Sequence, residues 1–398
     1  MKKVSLLVVV SFLLLAVVLL PLMSACTQEP AESKTLKIGA ITSVTGPLAP
    51  GLKAVFDAAK PAADVFNQRG GVTVNGQQYL IEIVVEDDKS SPPDAVAAAQ
   101  KLIQAGIKFI VMPVIPPNVH ALAPVCEEAK AIRVSAMQCD PGMFGPENRY
   151  HFDAVMTVYH ISTYYDYLLK NYPQVKKVAI LMPDDPGMDV PGVVTPQEAQ
   201  KRGLEVVFQE RYPNDTQDFY PIVTKALAQK PDVIDGIGGL AVWAAPIINS
   251  ARELGFTGPI MAPCGLGDTN LINSMLKPEY AYEFYNGLPD VLSDKMTPIV
   301  KELRPLVEQT ETPFFFDSTL VLTASWIMLQ GIEKAQSFDT DQVVAALESM
   351  ESVDTPWGKG TWGGEDLGGL NHMLKPDNIS ISKIMNGKVE FEFVKRVD

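Results

Sequence analysis

The feature that most constrains this chain is a rhythm in its apolar residues. From Leu36 onward, short strand-like runs alternate with amphipathic stretches of helix length. Leu36–Ile41, Tyr79–Glu86, Phe109–Val111 and Ile132–Ser135 read as strands, and Leu52–Gln68, Asp94–Ala105 and Val119–Lys130 read as the helices between them. After a Pro/Gly-rich break over 140–146 the pattern restarts with Val178–Leu181, Leu204–Phe208, Val233–Ile234 and Pro259–Met261. Strands separated by helices of 10–15 residues imply crossover units and parallel sheets. Two such series of about 110 residues each imply two similar α/β lobes rather than one large sheet. Two helices follow, 297–309 and 316–335. The second is apolar almost all round over Leu320–Ile332, which is too short to span a bilayer and reads as a buried helix. Strands return over 371–394. The chain therefore keeps adding structure after both lobes are begun, as expected if it crosses between them more than once.

The first residues are of a different kind. Met1-Lys2-Lys3 is a basic start, Val4–Leu22 is apolar apart from Ser5 and Ser11, and no acid precedes Glu29. That is the layout of an export signal, although its length also admits a retained anchor helix. Leu22-Met23-Ser24-Ala25-Cys26 is similar to a bacterial lipobox, in which the cysteine becomes the lipidated first residue. The expectation is a signal peptide over 1–25 and a lipid-anchored polar tether over 26–35. Several acyl chains anchor stably where one does not. Cleavage before Cys26 removes Lys2 and Lys3 and no acid, taking the formal net charge from −14 to −16. So acidic a body is a poor binder of polyanions, which excludes nucleic acid as a partner. Cys126, Cys139 and Cys264 remain after Cys26, an odd number that argues against a disulfide framework. Buried thiols and a single Cys126–Cys139 bridge both stay open. His120, His151, His160 and His372 lack metal-ligand spacing, so neither metal nor cofactor is expected. Gly236–Gly239 follows a strand but lacks a full dinucleotide-binding pattern, and reads as a tight turn.

The ordered series of segments carries a resemblance. The opening LKIGAITSVTGPLAPG, the GGV at 70–72, Val84–Asp88 before an alanine-rich helix, Asp218-Phe219, Pro231-Asp232 and Glu333-Lys334-Ala335 together resemble the leucine/isoleucine/valine-binding protein family, the type I periplasmic solute-binding proteins of ABC importers. The likeness runs over about 360 residues, and no single motif is decisive. It implies an α/β fold of two Rossmann-like three-layer lobes with parallel-rich sheets, joined by a three-stranded hinge. By analogy lobe one covers 36–152 plus 284–354, and lobe two covers 153–283 plus 355–398. It also implies a monomer in the cell envelope that closes on a small organic ligand and delivers it to ABC permease and ATPase subunits.

Ligands of open α/β sheets bind beyond the carboxyl ends of strands. The loops at 43–50, 113–118 and 137–140 are therefore expected to form one wall of a cleft, and 183–189, 239–243 and 264–268 the other. The candidate ligand contacts are Thr45, Gly46, Pro116, Asn118, Gln138, Cys139, Tyr159, Asp185, Leu240, Trp243 and Cys264. The family's amino-acid binders hold the ligand carboxylate on hydroxyls and backbone N–H groups at a helix start, and its ammonium on an acid of lobe two. This sequence departs at each place. Pro113, Pro116 and Pro117 strip the second loop of N–H donors. Asn118 offers a side-chain amide there, or an ordinary helix cap. Gln138-Cys139 replaces a hydroxyl, Cys264 stands where the acid is expected, and Gly239-Leu240 replaces an aromatic contact near Trp243. These departures point to a less polar organic acid or a neutral solute, with an amino acid as the alternative. Asp184, Asp185 and Asp189 are either a source of the acid or a solvated turn. Trp357 and Trp362, in a glycine-rich segment, either cap the ligand or pack at the hinge. A hydrolase would need a nucleophile beside an oriented base; the sequence has no GxSxG elbow. A ligand-sensing receptor would need membrane or signalling segments beyond Asp398.

Overall fold

The computed structural model describes residues 34–397 other than 113–115, 137–140, 155–156, 237, 239 and 266. The expected signal peptide, Cys26 and the tether up to residue 33 lie outside the described residues. So do Gln138 and Cys139.

The chain first lays down β1 (Lys34–Thr42), β2 (Val72–Val74), β3 (Gln77–Asp87), β4 (Phe109–Met112), β5 (Ile132–Ser135) and β6 (His151–Asp153). It crosses to build β7 (Lys177–Pro183), β8 (Glu205–Tyr212), β9 (Val233–Gly236), β10 (Ile260–Ala262) and β11 (Phe284–Asn286). It returns for helices Pro298–Glu308, Leu320–Ala335 and Thr340–Glu348, then β12 (Val353–Thr355), β13 (Gly358–Gly363) and β14 (Met373–Pro376). A last crossing leads to β15 (Asn378–Met385) and β16 (Lys388–Lys395). The first sheet has nine strands in the order β12-β13-β14-β6-β5-β4-β1-β3-β2, and the second has seven in the order β16-β15-β11-β10-β9-β7-β8. Central pairs such as β1–β3, β4–β5, β7–β9 and β10–β11 are parallel, while the hairpins β2–β3, β12–β13 and β15–β16 are antiparallel. The fold is that of a type I periplasmic binding protein, as the family resemblance implies.

Two of the crossings differ from the expected lobe boundaries. Residues 284–286 were expected in lobe one, yet β11 adds to β10 in parallel and so completes the unit begun by helix Thr269–Met275 in the second sheet. Residues 355–376 were expected in lobe two. Instead β12–β14 form a meander that joins the first sheet where Met373 pairs with Asp153. The change of sheet falls at Asp377. The three crossings lie side by side, since Ala154, Leu288, Pro289, Pro376 and Asn378 line one cavity of about 30 Å³.

Continuous apolar runs form the central strands because helices cover both faces. Every residue of β4, β5 and β10 is buried. One face of the first sheet packs on helices Ala59–Gln68, Pro298–Glu308 and Leu320–Ala335. The other face shares a core with Pro92–Gln104 and Pro116–Glu128 that continues through Phe144, Val158 and Met373 into helix Ile161–Asn171 and the second sheet. A third core, from Ala179 to Ile384, closes the far side of the second sheet. The expected helix 52–68 is broken at Ala58 into Ala49–Asp57 and Ala59–Gln68. Pro61 explains the break: it has no N–H for the Asp57 carbonyl and its ring crowds that group. Helix Leu320–Ala335 is buried on nearly all sides, as its sequence implies, and a Cβ at Gly331 would displace the Leu347 side chain packed against it. Among the described residues no helix is long and apolar enough to cross a membrane.

Candidate ligand-binding site

At the carboxyl edge of the first sheet, the loop after β1 is tied to the loop after β3 by two adjacent carboxylates. Asp87 accepts from the Val44 and Thr45 amides at 3.0 and 3.2 Å, from the Thr45 hydroxyl at 2.6 Å and from the Lys89 amide at 2.8 Å. Burial alone would raise its pKa, but the Thr45 hydroxyl and these N–H groups together hold it below the ordinary value. Asp88 accepts from the Ser43 hydroxyl at 2.5 Å, the Ser90 amide at 2.9 Å and the Asn118 side-chain amide at 2.8 Å. Ser43, Asp88 and Asn118 are all buried. Gly46 sits at φ +93°, and a Cβ there would overlap the Lys89 carbonyl, so the loops approach too closely for any other residue. Thr45, Gly46, Pro116 and Asn118 are thus gathered at one edge. The Thr45 hydroxyl already has a protein partner, and the Thr42 hydroxyl, at the end of β1, is buried without one.

The carboxyl edge of the second sheet is built differently. Asp184 and Asp189 pair with Arg211 at 3.5 and 2.6 Å, and Asp185 accepts from the Gly187 amide of its own turn at 2.8 Å. Met188 is buried against Gly238, whose φ of +72° leaves no room for a Cβ. Leu240 is 38% exposed just ahead of helix Ala241–Glu253. Trp243 packs edge-on to Tyr212, 5.9 Å between ring centroids, as part of the third core. Cys264 is buried at the end of β10, and Asn286 steadies its loop by donating to the Gly267 carbonyl at 2.7 Å and the Thr269 hydroxyl at 2.9 Å. Tyr159 belongs to the short helix Thr157–His160. It lines an open hollow of about 560 Å³ with Trp362, Asp366 and Lys375, whose ammonium lies 5.4 Å from its ring centroid. Trp357 stacks on Phe316 at 5.2 Å, and the Trp362 indole donates to the Leu347 carbonyl at 2.7 Å. Cys126 is a buried free thiol, and burial pushes its pKa up to about 11.

Sequence reasoning missed a link between the lobes. Asp268 caps helix Thr269–Met275, accepting from the Asn270 and Leu271 amides at 2.8 and 3.1 Å, while its other oxygen accepts from Phe316 N of the first lobe at 3.4 Å. Burial raises Asp268, more than the amides of Leu271, Phe316 and Asn270 lower it, and Asp290 adds to the rise. Burial, then the charge of Asp268, lifts neighbouring Asp317 to about 7. The Asp-Thr-Asn cap at 268–270 was the available signal, but it reads as ordinary helix chemistry.

Ser135, His151 and Asp153 approach each other without forming a hydrolytic triad. Ser135 Oγ lies 2.7 Å from His151 Nε2 and donates to Asp153 at 2.8 Å, while His151 Nδ1 faces the Met143 carbonyl at 3.0 Å. A triad needs the carboxylate on the far histidine nitrogen. Here it sits on the serine, and all three side chains are inaccessible. Burial, then the Arg133 charge, holds His151 well below its ordinary value. No group of three or more metal-ligating side chains occurs among the described residues.

Two α/β lobes, three adjacent crossings and strand-end loops on each lobe define a hinged solute-binding protein, a class that closes its domains around a guest. A family model described as a periplasmic binding protein matches residues 35–374, and the chain belongs to the leucine/isoleucine/valine-binding protein family of type I periplasmic binding proteins. It is 25% identical over 350 residues to the Leu/Ile/Val-binding protein BraC3 of Rhizobium johnstonii, covering 86% of this chain and 91% of that one. It is 24% identical over 342 residues to the Leu/Ile/Val-binding protein of Escherichia coli, covering 83% and 88%. Among solved structures it is similar to an amino acid ABC transporter substrate-binding protein of Pseudomonas fluorescens, with TM-score 0.75, 17% identity, and 92% and 97% of the two chains covered. It is also similar to an ABC transporter solute-binding protein of Rhodopseudomonas palustris in complex with p-hydroxybenzoic acid, with TM-score 0.72, 20% identity, and 92% and 98% covered. These relatives are binding proteins, not enzymes, and the family implies a place outside the cytoplasm.

Proposed function

We propose that this protein captures a small, uncharged organic solute between its lobes and delivers it to the permease of an ABC importer. The observation that carries the ligand class is the commitment of the second lobe's loop acids. A buried ligand ammonium needs an ionised carboxylate with room to accept. Asp184 and Asp189 serve Arg211, and Asp185 serves its own turn. The helix start that would cradle a ligand carboxylate lacks two of its N–H groups, at Pro116 and Pro117. Of the less polar classes implied by the sequence, the neutral solute therefore has the better support. An amino acid is the second reading, favoured by the acids Asp268 and Asp317, which meet between the lobes. Calorimetry against leucine, isoleucine, valine, aromatic acids and neutral amides and alcohols tests both. Tight binding of a branched-chain amino acid sinks the neutral-solute reading. We further propose a monomer tethered through lipidated Cys26, for which Cys26→Ser is expected to release the chain from washed membranes into the soluble fraction.

A further inference from the structure

We infer that the ligand presents an uncharged hydrogen-bond donor, a hydroxyl or an amide N–H, to the side-chain oxygen of Asn118. The inference rests on the neutral-solute reading and narrows it to solutes that carry such a donor.

Asn118 is 1% exposed, and its Nδ2 donates to Asp88 Oδ2 at 2.8 Å. Asp88 is itself fixed by the Ser43 hydroxyl and the Ser90 amide. Because a carboxylate only accepts, the amide orientation is settled by chemistry: reversing it would set oxygen against oxygen. The remaining acceptor, Asn118 Oδ1, is buried with no hydrogen-bond partner. It stands in the first turn of helix Pro116–Glu128, just beyond the carboxyl end of β4. A helix start normally offers N–H donors to an anion. Here Pro116 and Pro117 remove two of them, and the one orphaned side-chain atom is an acceptor. The Asp88 carboxylate behind the amide draws on its N–H and increases the negative charge on Oδ1. A ligand carboxylate at this oxygen would be repelled, whereas a hydroxyl or N–H would satisfy a buried group that otherwise costs the fold stability.

Titration calorimetry on the full chain with matched probes tests this. The pairs are benzamide and methyl benzoate, isobutyramide and methyl isobutyrate, and cyclohexanol and methoxycyclohexane, with benzoate and isobutyrate as the anionic arm. In at least one pair the member with the donor is expected to bind about tenfold or more tighter than its partner, because a site built around a hydrogen bond rejects the analogue lacking it. In Asn118→Leu that preference is expected to fall to about threefold or less. Should Asn118→Leu fail to fold, the wild-type preference and Asn118→Ser decide the matter. Equal binding within every pair, or a preference that survives loss of the Asn118 amide, overturns this inference alone, whereas tighter binding of the carboxylates overturns the neutral-solute reading with it. Binding of no probe, with tight binding of leucine, overturns the neutral-solute reading as well.

Discussion

The two strand-end edges use the same residue type in opposite ways. At the edge of the first sheet, Asp87 and Asp88 are saturated by hydroxyl and N–H donors, and Asp87 is held below its ordinary pKa despite burial. At the junction with the second lobe burial dominates: it raises Asp268 against its three N–H donors, Asp290 adding to the rise, and, with the charge of Asp268, it raises Asp317. The balance of donors against desolvation separates the two: four donors outweigh a shallow burial at Asp87, and deep burial outweighs the donors at Asp268. The largest expected effect follows. Asp88→Ala strips partners from the buried Ser43 hydroxyl and Asn118 amide, and should cost about 3 kcal/mol in urea unfolding. A loss under about 1 kcal/mol would mean that the first edge is not a fixed scaffold.

The raised pair makes a prediction of opposite sign. Asp317 has a folded-state pKa of about 7, above the ordinary carboxylate value near 4. Below pH 4 the carboxyl is protonated in both states and carries no penalty. Between about pH 4 and 7 the unfolded chain ionises while the folded one keeps its proton, so stability falls as pH rises and is lowest above 7. The full shift corresponds to about 4 kcal/mol, reduced by water reaching the half-buried side chain. Asp317→Asn should therefore stabilise the protein by about 1–3 kcal/mol at pH 8 and hardly at all at pH 4, read from urea midpoints at each pH. A variant less stable than wild type at pH 8 would show that Asp317 is bound by donors, as Asp87 is. The difference between the edges would then disappear.

How much of this was legible in the sequence depends on range. The two lobes, the parallel sheets and buried helix Leu320–Ala335 follow from period and apolar run length, which are local properties. The second and third crossings do not, because β11 and β12–β14 are short, and sheet membership depends on which edge is vacant. At the site, Asn118 stood out because prolines surround it, but its partner Asp88 lies 30 residues away. Asp189 stayed open between a ligand acid and a solvated turn because Arg211 is 22 residues distant, at the end of the neighbouring strand. Asp268 caps helix Thr269–Met275, and its second contact, to Phe316, is 48 residues away. Chemical type was readable throughout, whereas commitment to a partner was not.

A smaller effect sharpens the same contrast. Thr45→Val removes the hydroxyl at 2.6 Å from Asp87 but leaves the three amides in place. The site is exposed, so the expected cost is about 1 kcal/mol. The Asp87 carboxyl should move up toward its ordinary value, which a side-chain NMR titration would detect. An unmoved titration would assign its depression to the backbone alone.

The smallest expected effect concerns the acids of the second lobe. Asp189 meets Arg211 at 2.6 Å, but its side chain is 67% exposed, and pairs of that kind contribute roughly 0–1 kcal/mol. Asp189→Ala should change stability by less than about 0.5 kcal/mol and leave ligand affinity within about twofold of wild type. Asp185→Ala should likewise spare affinity, since its carboxylate is spent on the Gly187 amide. Calorimetry with whichever probe binds wild type makes the check. A fall of tenfold or more in either variant would mean that the loop acids reach the guest after all, and the second edge would then hold the charged partner that an ammonium requires.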